Sequence, residues 1–456
     1  MSEKIVIVGC GAAGVSAALW ARRTNKKAEI VVINREKFPE YSRCGLPYVI
    51  GQTISEPENL IEHPPSWYDR FLRIKLKLGY IAVDCDPDKK TLEVTNLKHE
   101  KVEKETYDKL IIATGSSPFI PPITSVGKKN VFTLRTLNDA IEIREVAKKS
   151  KKAVVVGAGM IGLEIAEALH HLGLKVTVVE LLPQILPPVL DADFAKIVQN
   201  KMEEHGITVL TGKRVEEIIG DEKVKGIIVE GEEILADLVV VSTGVKPNTE
   251  LAQKMGVEIG KTGGIKTNEY METNIEDVFA AGDCTETKYL VTNEPILAAM
   301  GTVAVRQGKV AGINAAGGRS TYHGTVLTRT TKLFGLEIAS VGLTTQQAEK
   351  TGVKPIVGTI RGKTKPEYFP DSKEIHIKIL VNPENGQIIG SQIIGEEGAA
   401  MRINTISLAL IKKLTIDEFL SLETVYAPPV APVWDPLTVV TESVIRKLKK
   451  KKEKKQ

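Results

Sequence analysis

The sequence predicts an α/β protein with two Rossmann-like dinucleotide-binding units followed by a C-terminal α+β unit. Three observations predict it. Two glycine-rich turns, "GCGAAG" from Gly9 and "GAGMIG" from Gly157, each lie between a strand-like run and a helical segment. Two further strand-like runs end in Thr-Gly turns, at Thr114-Gly115 and Thr243-Gly244. A chain of 456 residues also exceeds what one hydrophobic core normally organises, so two or three domains are expected.

In order along the chain, Ile5 to Val8 is a buried strand that turns through Gly9, Cys10, Gly11, Ala12, Ala13 and Gly14 into a helix. Gly9 suits the tight turn, Gly11 lets a pyrophosphate approach the backbone, and Gly14 lets helix and sheet pack closely. The helix N-terminus then faces the phosphates. The next strand, "AEIVVIN", ends at Asn34 where an acid is expected to bind an adenosine ribose, with Glu36 two residues later. An Asn amide still hydrogen-bonds a hydroxyl.

The pattern returns in "KKAVVVGAGMIGLEIAEALHHLGLKVTVVE", where Gly157, Gly159 and Gly162 repeat the turn and Glu180 closes the following strand. A carboxylate there accepts both ribose hydroxyls and repels a 2′-phosphate. The "LLPQILPP" that follows carries no Arg or Lys, so NADH is expected over NADPH. "NIEDVFAAGDCTE" ends a later strand at Asp283, whose carboxylate suits a ribityl hydroxyl of a flavin. Beyond about residue 326, "LEIASVGLT", "EIHIKILVN" and "QIIGSQIIG" read as strands, and Ala399 to Leu414 as a helix.

Composition narrows the function classes. Lys plus Arg number 61 against 57 Asp plus Glu, which argues against a nucleic-acid-wrapping domain. The basic excess collects in "RKLKKKKEKKQ" from Arg446, expected to be a solvated tail. No signal peptide is expected, because the apolar residues Ile5 to Val8 read as the start of a strand, and no run approaches a membrane-spanning length. Cys10, Cys44, Cys85 and Cys284 lack metal-ligand spacing, so no metal is expected and a reduced, cytoplasmic setting fits.

This order of motifs resembles the pyridine nucleotide-disulfide oxidoreductases, over roughly residues 1 to 440. The resemblance implies an FAD domain made of residues 1–117 and 245–325, interrupted by an NAD domain at 118–244. An interface domain at 326–445 would build a homodimer, with a tetramer as a further assembly, and 446–456 would be the basic tail. It also implies which residues line the cofactors. Arg35, Arg43, Cys44, Ala82, Ala113, Thr114, Gly115, Gly282 and Ala299 join the first turn, Asn34 and Asp283 around FAD. Met160, Ile161, Glu164 and Gly244 join the second turn and Glu180 around NADH.

The stretch "YSRCGLPYVIG" then acquires a meaning. Two-cysteine members of the family carry C-x-x-x-x-C, but position 49 is Val and position 39 is Pro, so Cys44 has no neighbour to pair with. Its thiolate is expected to attack an outside sulfur or peroxide and to exchange electrons with the flavin. Arg43 and a helix starting at "GLPYVIG" are expected to lower its pKa. The other three cysteines read as structural.

Within the family, "SRCGLPY" and "YAPPVAPVWDP" resemble the single-cysteine coenzyme A-disulfide reductase branch. That likeness implies a mixed disulfide between Cys44 and coenzyme A. Tyr426 and Tyr368 of the other subunit would assist as general acids. Branch members commonly read S-F-x-N-C where this chain reads "EYSRC", with Arg43 in place of the Asn. Arg43, Arg22 and Arg23 are candidates to bind the phosphates of coenzyme A, or an anionic polysulfide. NADH peroxidases and water-forming oxidases usually carry a His in the first glycine loop, where this chain has Ala12. The expected acceptor is therefore coenzyme A disulfide or polysulfide, with oxygen second. An electron-transfer reductase serving a protein such as a rubredoxin, with Cys44 incidental, is the alternative of a different class.

Overall fold

The computed structural model describes residues 3–453. Its first sheet has five parallel strands, in the order Val278–Ala280, Lys109–Ile112, Lys4–Val8, Glu29–Asn34 and Ile74–Leu78. Such strands are covered on both faces, which is why they read as continuous Ile and Val runs without alternation. Ile5, Val6, Ile7, Ile111 and Ile112 are all buried. Strand Val278–Ala280 comes from far along the chain, so the first unit is interrupted in sequence and closed in space.

The inserted stretch repeats the design. Its five parallel strands run in the order Thr208–Thr211, Lys175–Glu180, Lys152–Val156, Leu238–Val241 and Val131–Phe132. Each unit adds a three-stranded antiparallel meander, Tyr80–Asp86 to Lys101–Thr106 in the first and Val215–Gly220 to Glu232–Leu235 in the second. The chain enters and leaves the insertion through an antiparallel pair, Ser116–Pro118 on Val245–Pro247.

The C-terminal unit is a five-stranded antiparallel sheet, in the order Arg329–Leu333, Leu336–Gly342, Ile388–Gly395, Glu374–Val381 and Ile356–Lys363. The strand-like runs named above are three of these strands. The helical segment appears as Ile403–Ile411 after a short 3-10 turn at Ala400–Arg402.

The basic tail is corrected. Helix Pro436–Glu453 runs through most of it, because Leu437, Val440, Val444 and Leu448 form one apolar stripe that buries on the sheet. Residues 454–456 of the expected tail lie outside the described residues. Among the described residues no helix is long and apolar enough to cross a membrane.

Candidate functional site

The two glycine turns are built alike. Gly9 has φ +116° and Gly157 φ +104°, a region open to glycine and costly for other residues. A Cβ on Gly14 would stand 1.9 Å from the Gly9 carbonyl oxygen, and one on Gly162 would stand 2.1 Å from that of Gly157, so neither position accepts a side chain. Gly11 and Gly159 differ: a Cβ there would meet no protein atom within 4 Å.

These two residues are the N-caps of helices Ala12–Thr24 and Met160–His171, and neither helix start has a side-chain cap. Unspent N–H groups facing open space at the positive end of a helix make a cradle that suits a pyrophosphate. The residues present therefore fit a dinucleotide at each turn.

The strand ends behind the turns differ in strength. Asn34 Oδ1 accepts the Cys10 N–H at 3.4 Å, and its amide donates to the Phe38 carbonyl at 2.9 Å. Glu180 accepts the Ala158 N–H at 2.7 Å and the Leu182 N–H at 2.8 Å, one on each carboxylate oxygen. Leu181, Leu182 and Ile161 are exposed, an apolar rim, while Lys213 donates its N–H to the Glu180 carbonyl at 2.9 Å. Arg35 is exposed past Asn34.

Asp283 sits at the end of strand Val278–Ala280, just after Gly282 (φ +89°). Its Oδ2 accepts from Ser116 Oγ at 3.0 Å and from the Arg135 guanidinium at 3.1 Å. Ala113, Thr114 and Gly115 lead to Ser116, and Thr114 exchanges hydrogen bonds with Asn248 from the far side of the insertion. Gly244 stands on that same side, before Val245–Pro247. Ala82 lies in strand Tyr80–Asp86, and Ala299 is exposed ahead of helix Gly301–Ala315.

Arg135 and Gln307 were not anticipated. Gln307 is buried and its Oε1 accepts the Gly282 N–H at 2.8 Å, holding the turn that aims Asp283. Neither sits in a motif, and their partners are remote in sequence, so local pattern carries no signal for them.

Cys44 is the exposed cysteine of the four; Cys10, Cys85 and Cys284 are buried. It sits in the 3-10 turn Arg43–Gly45 ahead of the short helix Leu46–Ile50. That helix lies against the second glycine helix, where a Cβ on Gly51 would come within 3.1 Å of Ala168 Cα. The expected low pKa is not found. Surrounding protein pushes the Cys44 thiol up, the carboxylates of Glu164 and Asp283 push it further, and only Arg135 opposes them.

Arg43 does not help, because its guanidinium turns away. It bonds Glu36 at 2.6 Å, the Tyr41 hydroxyl at 2.8 Å and the Arg135 carbonyl at 2.8 Å. Tyr41 in turn accepts the Leu137 N–H, so this network ties the cysteine loop to the inserted unit.

Arg22 is a second correction. Its guanidinium donates to the carbonyls of Leu72, Asn25, Lys26 and Arg73, leaving one of its N–H groups for any phosphate. Arg23 is exposed, 4.9 Å above the Trp20 ring. Glu164, on the second glycine helix, accepts from Thr331 Oγ1 at 2.5 Å, and burial raises its carboxyl pKa.

Tyr426 and Tyr368 lie far along the chain and are 53% and 73% exposed. Tyr426, close beside Tyr368, raises the Tyr368 hydroxyl above its ordinary pKa. Val425, Val430, Val433 and Trp434 are exposed around them, an apolar surface of the kind that a second subunit covers.

The chain is similar to known proteins along nearly its whole length. Residues 3–331 match the family described as pyridine nucleotide-disulphide oxidoreductase, and residues 328–436 match its dimerisation domain. The chain is 41% identical over 450 residues to a protein of Methanocaldococcus jannaschii named NADH oxidase, covering 98% of this chain and 100% of that one. It is 34% identical over 443 residues to a Pyrococcus horikoshii protein named NAD(P)H coenzyme A polysulfide/persulfide reductase, covering 96% and 98%. Among solved structures, an NAD-dependent persulfide reductase from A. fulgidus superposes with TM-score 0.95 at 37% identity, covering 97% of this chain and 83% of that one. With two cradled turns, an exposed thiol between them and these matches along nearly its whole length, the chain belongs to the pyridine nucleotide-disulphide oxidoreductase family of NAD(P)H-dependent flavoenzymes.

Proposed function

We propose that the protein takes electrons from NADH through FAD to Cys44, which reduces coenzyme A disulfide or a related disulfide or polysulfide. The observation that carries this reading is the exposure of Cys44 among Glu164, Asp283 and Arg135, while the other three thiols are buried. In this reading FAD sits on the first turn, with Asn34 and Asp283 along it, and NADH sits on the second with Glu180 at its ribose. The domain boundaries follow: 1–117 and 245–325 for FAD, 118–244 for NAD, and 326–445 for the interface. Bound flavin supplies hydride acceptance and two-electron delivery to sulfur.

The chain's own residues do the rest. Cys44 attacks the outside disulfide and expels one thiol, and the mixed disulfide is then reduced to release the second. The balance is NADH plus one disulfide plus one proton, giving NAD⁺ and two thiols. Tyr426, with Tyr368 beside it, is the proposed proton donor to the leaving thiolate. Their place on the apolar outer face of the C-terminal unit supports action on a partner subunit's thiol, and the dimerisation-domain match supports a homodimer. Arg23 remains the freer candidate for an anionic substrate tail. Four unpaired cysteines support a cytoplasmic setting.

Oxygen is the second acceptor, a reading favoured by the 41% identity to a protein named NADH oxidase. One comparison separates the two. Cys44→Ser should keep FAD and slow NADH–oxygen turnover, while coenzyme A disulfide reduction falls by at least about 10³-fold. Unchanged disulfide reduction sinks the proposal. Mixing Cys44→Ser chains with Tyr426→Phe chains should then restore part of the activity in heterodimers, and no recovery would place both residues in one subunit's site.

A further inference from the structure

The C-terminal sheet carries a lysine that this chemistry does not use. Lys378, on strand Glu374–Val381, is 4% exposed. A buried ammonium persists only where opposite charge and hydrogen bonds replace its water. Its partners come from the inserted NAD unit. Nζ donates to Asp191 Oδ2 at 2.9 Å and to Asp193 Oδ1 at 2.5 Å. Thr345, also of the C-terminal unit, donates to Asp191 through its N–H at 2.8 Å and its hydroxyl at 2.7 Å. Burial pushes the Asp191 carboxyl up, but Lys378 and Thr345 outweigh it and hold it below the usual carboxylate range.

Asp191 ends the segment that follows Glu180, and that segment touches the second glycine turn. Leu186 donates its N–H to the Ala158 carbonyl at 2.9 Å, and Leu190 donates to the Leu186 carbonyl at 3.0 Å. Ala158 lies between Gly157 and Gly159, with its N–H already held by Glu180. Leu186 has φ +49°, a left-handed conformation that is unfavourable for a leucine, so the segment needs a hold at its ends. A continuous run of short contacts therefore leads from Lys378 through Asp191, Leu190 and Leu186 to the turn.

We propose that Lys378 is a positioning residue for NADH: by gripping Asp191 it keeps this segment, and through Leu186 the second glycine turn, in the shape that accepts the nucleotide. The inference rests on the reading that the second turn binds NADH. It makes the C-terminal unit, whose other face is proposed to pair with a second subunit, a determinant of nucleotide affinity in the same chain.

The test is Lys378→Met in the full-length, FAD-loaded protein. NADH KM and the Kd for NAD⁺ should rise about tenfold, the size expected when a coupling of one to two kcal/mol is lost. At saturating NADH, kcat should stay within about twofold, because the interaction is made equally in ground and transition states. Flavin content and dimer mass should match the parent. Dithionite-reduced enzyme mixed with coenzyme A disulfide bypasses NADH, and its reoxidation rate should not change.

Asp193→Asn removes the outer partner and leaves Asp191 held, so it should move KM by less than about twofold. A Lys378→Met protein that is folded and flavin-loaded, yet keeps its NADH KM within twofold of the parent, overturns the proposal. So does a variant that loses flavin and kcat together, the mark of general loosening. If Lys378→Met does not fold, Thr345→Val removes one donor to Asp191 and should raise KM about threefold; an unchanged KM there overturns it equally. A parent that binds no NADH sinks the reading of the second turn instead, and titration of the parent tells the two failures apart.

Discussion

The two glycine turns are near copies in backbone and opposites in surroundings. At both, a positive-φ glycine opens the turn and the last glycine presses on its carbonyl, at 1.9 Å and 2.1 Å for an added Cβ. The first helix is covered on its outer side by helix Gly301–Ala315, where Gly308 and Gly312 bring the backbones so close that a Cβ would stand 2.1 Å from the Ala13 and Ala17 carbonyl oxygens. The second helix is met instead by the cysteine helix and by the C-terminal unit, through Glu164 to Thr331 and Glu167 to the Phe334 N–H. Its rim, Ile161, Leu181 and Leu182, is exposed. Under the proposed assignment, one motif serves a turn enclosed by its own domain, as a resident flavin needs, and a turn with an open rim, as an exchanging nucleotide needs. The neighbours, rather than the glycines, separate the two.

The largest test of this contrast is paired. Gly14→Ala should leave the protein without flavin, because its Cβ has no space and overpacking costs about 1–3 kcal/mol or more. Gly162→Ala, which is as crowded, should keep the flavin and lose NADH-driven turnover by at least about tenfold. Absorbance spectra and stopped-flow flavin reduction read both. Loss of flavin from Gly162→Ala would break the division of labour.

Next in size is Glu180. Its two backbone bonds are charge-assisted, and a ligand ribose would add a third. Glu180→Gln should weaken NADH about tenfold and narrow its advantage over NADPH, in steady-state kinetics with each nucleotide. If discrimination survives intact, the apolar rim decides it alone.

Cys44 belongs to both regions, since Asp283 of the first and Glu164 of the second raise its pKa. Both carboxylates disfavour the thiolate, so the pH midpoint for alkylation by iodoacetamide should lie above the ordinary thiol range. Glu164→Gln should bring that midpoint down. A midpoint that does not move would assign the shift to burial, its largest cause, and to Asp283.

The smallest effect concerns Glu40, near Cys10 of the first turn. Unlike Glu180, its carboxyl makes no hydrogen bond among the described residues, and burial with Glu62 nearby raises it from 4.5 to about 7. The folded state thus holds this proton more tightly than the unfolded chain. The contribution to stability is full below pH 4.5 and is lost as pH rises through 7. Glu40→Gln should therefore gain about 1–2 kcal/mol over the parent at pH 8 relative to pH 5 in urea unfolding. Equal pH profiles would show that the carboxyl is solvated.

By itself the sequence determined the two turns, the strands feeding them, the family and the isolated cysteine. These are written in consecutive residues: glycine sterics, apolar runs and spacing act over a few positions and survive in any tertiary setting. The tertiary structure alone decided where charge goes. Arg43 is adjacent to Cys44 in sequence yet satisfies Glu36 and Tyr41, while Arg135, remote in sequence, is the cation that favours the thiolate. Arg22 spends its donors on carbonyls of neighbouring loops, and Lys378 finds Asp191 across a domain boundary. The basic tail shows both influences. Its lysines suggest a solvated run, but Val440, Val444 and Leu448 recur every four residues, and burying that stripe on the C-terminal sheet extends the helix to Glu453. A long charged side chain reaches whichever opposite charge or carbonyl the fold brings near, so its partner is a property of the packed chain and not of its neighbours in sequence.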